Sequence, residues 1–259
     1  MKNLYKKMLK IFVSTTVLMG CQEVQEVTSD VNLYGGRQGT EADTKYVVRV
    51  DAKKGGRGII CTGVILDSQT ILTAAHCLAG IDVGSAKVWL GVSGRTEAPR
   101  VEKSVIHRSY TTENFAFDIG IIGLSQPLES FYTGVPIVAA NSTPPIGKLL
   151  TAAGYGLTLS QGGGSLRVGE IKLIDTVPEI NYLESEFTNG TGICRGDSGG
   201  PLTYNGELVG MSLEVESEAC LDRAYFLDLR KYRGWIQCAK MAIEGNANRR
   251  CLSQVMFIR

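Results

Sequence analysis

Three short segments carry residue types that can do nucleophilic chemistry together. Ile71-Leu-Thr-Ala-Ala-His-Cys77 sets a histidine after an apolar run. Phe117-Asp118-Ile-Gly-Ile-Ile-Gly-Leu124 sets one acid at the head of another, and Cys194-Arg-Gly-Asp-Ser-Gly-Gly-Pro201 sets a serine in a glycine-rich turn. A serine hydroxyl is a poor nucleophile until a neutral histidine takes its proton, and that histidine needs a carboxylate to fix its tautomer. A turn such as Gly196-Asp197-Ser198-Gly199 can also aim backbone N–H groups at a developing oxyanion. Bland readings stand beside each assignment: Asp118 as a strand cap, Ser198 as a plain turn residue. The chain has only two histidines, so His107 is the sole rival base.

The elements that must position these groups read as one mainly β body. The chain has 259 residues, 44% hydrophobic and 20% charged, enough for a sizeable core and a poor match to disorder. Its 31 glycines against 7 prolines suit many turns and short strands. Apolar runs at 46–51, 58–66, 70–75, 86–92, 118–124, 135–139, 148–154, 168–176, 207–215 and 224–229 recur at sandwich or barrel spacing rather than βαβ spacing. A helix is predicted near 230–244, where Tyr232, Trp235, Ile236 and Met241 recur at three- and four-residue spacings. Lys+Arg 27 against Asp+Glu 26 leaves no basic surplus for nucleic acid. No cofactor is expected, and no metal: seven cysteines beside two histidines suit a zinc module poorly, and no acidic loop has calcium-ligand spacing.

The first twenty residues read as an address. Lys2, Lys6, Lys7 and Lys10 precede the mostly apolar Ile11 to Met19, too short to span a bilayer. Leu18-Met19-Gly20-Cys21 resembles the lipobox of bacterial lipoproteins, which implies cleavage before Cys21 and lipid on its sulfur. Gln22 lacks the aspartate associated with inner-membrane retention, so the expectation is an exported chain, held at an outer membrane or released as a periplasmic or secreted form. Removing residues 1–20 leaves 23 bases against 26 acids, about −3. Residues 21–32 read as a tether or propeptide. Lipid on Cys21 leaves six cysteines for an oxidising compartment, and six permit fifteen pairings.

Thr73-Ala-Ala-His-Cys77, Asp118-Ile-Gly-Ile-Ile-Gly-Leu124 and Gly196-Asp-Ser-Gly-Gly-Pro201, in that order, resemble the three signature blocks of the chymotrypsin-like (trypsin-fold) serine peptidases. The resemblance runs over about residues 33–245 of a domain taken as 33–259. It implies an all-β fold of two six-stranded antiparallel β-barrels with a C-terminal helix and the site in the cleft between them. It implies His76 as general base, Asp118 orienting it and Ser198 as nucleophile, with the N–H groups of Gly196 and Ser198 as oxyanion hole. Substrates would be proteins or peptides, and the enzyme would act as a monomer whose only membrane contact is the Cys21 lipid. The rival class is a non-catalytic binding or adhesion lipoprotein that keeps the fold. The resemblance further implies Cys61–Cys77 near His76 and Cys194–Cys220 bracing the pocket, which leaves Cys238–Cys251 with no family counterpart.

Two features depart from the family pattern. Leu33-Tyr-Gly-Gly36 resembles the family's mature N-terminus, whose freed amine would pair with Asp197, yet no Lys or Arg lies between Gln22 and Gly36 to mark a tryptic cut. The family position at the pocket base, aspartate in trypsins, is Gly192 here; Ala224 is another pocket-lining position. On the wall strand two alignments remain. Leu213 beside the nucleophile brings Val215 to the pocket and favours small or medium apolar residues, and the ungapped count from Gly206 supports it. Ser212 there brings Glu214 instead and admits a basic residue.

Overall fold

The chain's structure, a computed structural model, describes residues 36–113, 115–156, 164–188, 190–215, 220 and 223–258. The expected signal segment, Cys21, the tether and Leu33 lie outside them. In chain order the strands are β1 (Arg37–Gln38), β2 (Val47–Lys54), β3 (Arg57–Ile65), β4 (Thr70–Thr73), β5 (Lys87–Leu90), β6 (Thr96–Glu97), β7 (Val101–His107), β8 (Gly120–Leu124), β9 (Leu149–Gly154), β10 (Arg167–Val177), β11 (Tyr182–Phe187), β12 (Pro201–Tyr204), β13 (Glu207–Val215), β14 (Ala224–Asp228) and β15 (Val255–Ile258). Two helices, α1 (Arg233–Glu244) and α2 (Arg249–Leu252), lie near the C-terminus.

Side-chain pattern decides where each strand sits. In β2 the buried Val48, Val50 and Ala52 alternate with half-buried Arg49 and Asp51, so one face looks inward. The runs Thr70-Ile-Leu-Thr73 and Gly120-Ile-Ile-Gly-Leu124 are buried on both faces and pair as Ile71↔Ile122 and Leu72↔Ile121. Burying an Ile or Leu side chain stabilises by roughly 1.5–3 kcal/mol, so this pair of strands anchors the segments that end at His76 and begin at Asp118.

The C-terminal half closes on itself. Strands β10, β11, β14, β13, β12 and β9 form a ring, completed by the β10–β9 ladder from Arg167↔Gly154 to Lys172↔Leu149, with β1 added beside β10. The N-terminal half is an eight-stranded sheet in the order β15-β7-β8-β4-β3-β2-β5-β6. The six-strand count expected for it is thus corrected to eight. The tail after α1 turns back through α2 and lays β15 on the edge of β7, from Val255↔His107 to Ile258↔Ser104. Run 135–139 is not a strand; it meets β13 through the bridge Ile137↔Leu208, and its Val135 N–H donates to the Ile65 carbonyl of β3 at 3.2 Å. Run 118–124 begins pairing at Gly120, leaving Asp118 on the turn before it.

One apolar cluster fills the N-terminal half and continues through Leu208, Met211, Leu213, Leu227, Tyr232 and Trp235 into the other half. A second, with Leu150, Ile171, Leu183, Ile193, Leu202, Ala224 and Phe226, fills the closed barrel. Helix α1 starts later than predicted because Asp228 first caps a short 3-10 turn, Leu229–Lys231. It buries Trp235, Ile236, Ala239 and Ala242 and stops at Gly245, whose φ of 81° is left-handed. Among the described residues no helix is long and apolar enough to cross a membrane.

Candidate active site

Strand β4 delivers a single 3-10 turn, Ala75–Cys77, carrying His76, and the Cys61–Cys77 disulfide ties that turn back to β3. Opposite it, Asp118 sits just ahead of β8 and is entirely buried. Both its oxygens are used: the His76 backbone N–H donates to Oδ1 at 2.7 Å, and Oδ2 lies 2.6 Å from His76 Nδ1. The carboxylate therefore holds the histidine by main chain and ring at once. With Nδ1 donating, the neutral ring keeps Nε2 as its acceptor. Burial, and next the Asp118 charge, push the neighbouring Tyr110 hydroxyl up to about 12.

The other histidine has a different setting. His107 ends β7, stacks on Phe117 at 4.6 Å and lies 5.5 Å from Trp235. Its Nδ1 accepts the Ser109 N–H at 3.1 Å, and burial pushes it down to about 4. It backs Phe117, the residue preceding Asp118.

Ser198 lies on the turn between Cys194 and β12. Gly196 and Gly199 have φ of 99° and 87°, which side chains resist. A Cβ on Gly196 would also fall 2.8 Å from Gly156 Cα. Ser198 Oγ donates to the Leu213 carbonyl at 3.0 Å. Gly199 donates to the Ser212 carbonyl at 2.7 Å and Ser212 donates to Gly200 at 2.8 Å. The carbonyl that accepts the Ser198 hydroxyl is thus that of Leu213, not that of Ser212. Ser212 Oγ is buried with no partner among the described residues.

Asp197, 1% exposed, turns inward from the same bend. Its oxygens accept the N–H groups of Gly156 at 2.9 Å and Cys194 at 2.8 Å, yet burial outweighs both and pushes the carboxyl up to about 7.

The two halves meet at Thr62, which the sequence reading did not single out. This β3 residue is fully buried. Its N–H donates to the Ser198 carbonyl at 2.9 Å and its hydroxyl donates to the Gly196 carbonyl at 2.9 Å. The same hydroxyl accepts the Tyr155 N–H at 3.0 Å, and the Thr62 carbonyl accepts the Thr73 hydroxyl at 2.8 Å. The available signal was a hydroxyl inside the apolar run 58–66.

The neighbourhood of Gly192 also carries a residue that was missed. Cys194–Cys220 bonds the serine turn to the segment before β14, and β13 pairs Val215 with Ala224. Gly192, Ile193 and Ala224 are all buried. The backbone turns sharply at the bridge Thr188↔Thr191, which sets Phe187 across from Gly192. A Cβ on Gly192 would lie 2.1 to 2.3 Å from three carbons of the Phe187 ring. Glu184 of β11 pairs with Arg223 nearby. The third disulfide, Cys238–Cys251, joins α1 to α2 with Cα atoms 4.7 Å apart.

One trio of metal-ligand types, Cys61, His76 and Cys77, brings its ligand atoms within 4.8 Å of one another. Both sulfurs are in a disulfide and the ring nitrogen is on Asp118, so the trio offers no thiolate.

Residues 33–236 match the trypsin family model. Trypsin eta of Drosophila melanogaster is 28% identical over 255 residues, covering 89% of this chain and 96% of that protein. Among solved structures, HL collagenase superposes with TM-score 0.70 at 22% identity, covering 79% of this chain and 96% of that one. The scabies mite inactivated protease paralogue S-I1 superposes with TM-score 0.69 at 21% identity, covering 78% and 97%. The fold is therefore shared by catalysts and by an inactivated relative, and the family model spans the His76, Asp118 and Ser198 segments: the chain belongs to the trypsin family of serine peptidases.

Proposed function

We propose that this family member is an active serine endopeptidase that cleaves peptide bonds through an acyl-enzyme. The observation that carries the reading is the buried Asp118 carboxylate, bonded to both the main chain and the ring of His76. A binding module has no physical need for a desolvated carboxylate aimed at an imidazole. Ser198 rotates from its Leu213 partner toward His76 Nε2, gives up its proton there and attacks the scissile carbonyl. The N–H groups of Gly196 and Ser198 take the oxyanion. The imidazolium then protonates the leaving amine, and water repeats the sequence to free the acid.

The residue before the cut is small or medium and apolar. Gly192 and Ala224 bring no charge to the pocket base, and the Phe187 ring against Gly192 leaves little depth there. The chain is exported and tethered by lipid on Cys21. Cleavage after Asn32 frees both the body and the Leu33 amine, and that amine ion-pairs with Asp197, a carboxylate whose raised pKa calls for a cation. Hydrolysis of casein and of peptides with Ala, Val, Leu, Phe or Arg before the cut tests the reading, with Ser198→Ala as control. A loss below tenfold for Ser198→Ala overturns it.

A further inference from the structure

We infer that Thr62 is a positioning residue for the oxyanion hole, acting through its side-chain hydroxyl. This rests on the catalytic reading above. The two residues whose N–H groups would hold the oxyanion, Gly196 and Ser198, have their carbonyl oxygens on this one residue. The bond to Ser198 comes from the Thr62 backbone and survives any substitution that keeps β3. The bond to Gly196 needs the hydroxyl.

That second bond matters because Gly196 is one of the glycines that leave the turn conformationally free. At a φ of 99°, with no side chain, it has more rotational freedom than any other residue type. The bends on either side are held by Asp197 N–H to the Cys194 carbonyl at 3.0 Å and Gly200 N–H to the Asp197 carbonyl at 2.9 Å. Neither bonds the Gly196 oxygen itself, although the first holds the other end of the same planar peptide unit, Gly196 C=O to Asp197 N–H. The Thr62 hydroxyl holds that oxygen, and with it the C-terminal side of Gly196, and so limits how far the Gly196 N–H can swing out of the hole.

The hydroxyl is itself oriented. It accepts the Tyr155 N–H at 3.0 Å, leaving its one proton for Gly196. Tyr155 is fully buried and its hydroxyl donates to the Gly91 carbonyl at 2.9 Å. The chain Gly91–Tyr155–Thr62–Gly196 therefore runs from the turn after β5 to the serine turn through the buried Tyr155 and Thr62, where an unpaired polar group is costly.

The test compares Thr62→Val, which keeps the branched shape and removes the hydroxyl, with Thr62→Ser, which keeps the hydroxyl. Each is prepared as the full chain and as material beginning at Leu33, with concentrations set by fluorophosphonate titration of reactive serine. Loss of one whole oxyanion donor costs about 10²–10³ in kcat; a donor left in place but less well aimed should cost about 10- to 100-fold. Thr62→Val is expected to lose that much kcat with KM within threefold. Its affinity for a peptide aldehyde, which places an oxyanion in the hole, should fall in the same proportion. Thr62→Ser is expected to stay within threefold on all three measures. Should Thr62→Val not fold, Thr62→Ala supplies the same comparison. Equal kcat per titrated site in the hydroxyl-free and serine variants overturns the inference, as does a loss confined to KM. A wild-type chain that neither hydrolyses peptide nor takes up the reagent, in either form, overturns the catalytic reading and the inference together.

Discussion

Asp118→Asn separates orientation from charge with almost no change of shape. The wild-type carboxylate accepts from two donors, the His76 N–H at 2.7 Å and ring Nδ1 at 2.6 Å. An amide can accept from only one. If its oxygen stays on the backbone N–H, its NH2 faces the ring. Nδ1 must then be the acceptor, and the ring proton moves to Nε2, the nitrogen that should take the serine's proton. If the amide flips, its NH2 meets the backbone N–H, leaving a buried donor unpaired at a cost of about 1–3 kcal/mol. The first arrangement is the cheaper and the catalytically wrong one. The expected loss is about 10⁴ in kcat, or about 5.5 kcal/mol of barrier, with KM nearly unchanged. Initial rates on a peptide with alanine before the cut would measure it, beside a thermal melt showing that the variant folds. A folded Asp118→Asn protein within tenfold of wild type would refute the reasoning.

Gly192→Asp alone should gain no cleavage after Arg or Lys, because its side chain collides with Phe187; Phe187→Gly with Gly192→Asp should gain about 100-fold or more over the single variant, and failure in peptide-series assays would count against a floor made by that ring. Replacing both Cys238 and Cys251 by serine opens a loop of 13 residues and should cost about 3 kcal/mol, near 10 °C in Tm, so a melt within 2 °C of wild type would contradict it. In the uncut chain, the raised pKa of Asp197 makes its contribution to stability greatest below about pH 4 and lost as pH rises to about 7. Melts between pH 4 and 8 should therefore show wild type losing stability relative to Asp197→Asn, and parallel curves would rule this out. Freeing the Leu33 amine should abolish that loss until the amine deprotonates near pH 8.

The segments of the candidate site are legible in linear form, the pairing of the strands less so. His76, Asp118 and Ser198 each stand in a short segment whose composition is fixed by local demands, a buried strand end or a turn with left-handed glycines, so the motifs survive in linear form. Strands such as β3, β10 and β13 were visible because their apolar runs are long. β7 was not, since the exposed Glu102 and Lys103 interrupt its apolar run ahead of residues 104–107, the part that β15 pairs. β11 was missed for a similar reason: its Glu184 and Glu186 mask the alternation, their charges being met by Arg223 and Lys172. Thr62 and Phe187 could not be picked out because their partners, Gly196 and Gly192, are set by the meeting of two halves in one case and a tight turn in the other. The addition of β15 to the N-terminal sheet depends on the Cys238–Cys251 link and the path of the tail, neither of which leaves a periodic signal.

The most direct test of the central claim is intact mass after incubation with a fluorophosphonate, on the full precursor and on material beginning at Leu33. The account predicts one adduct per chain on the trimmed form, absent in Ser198→Ala and strongly slowed in Asp118→Asn. No adduct on either form, from a protein shown to be folded, would contradict an active serine peptidase.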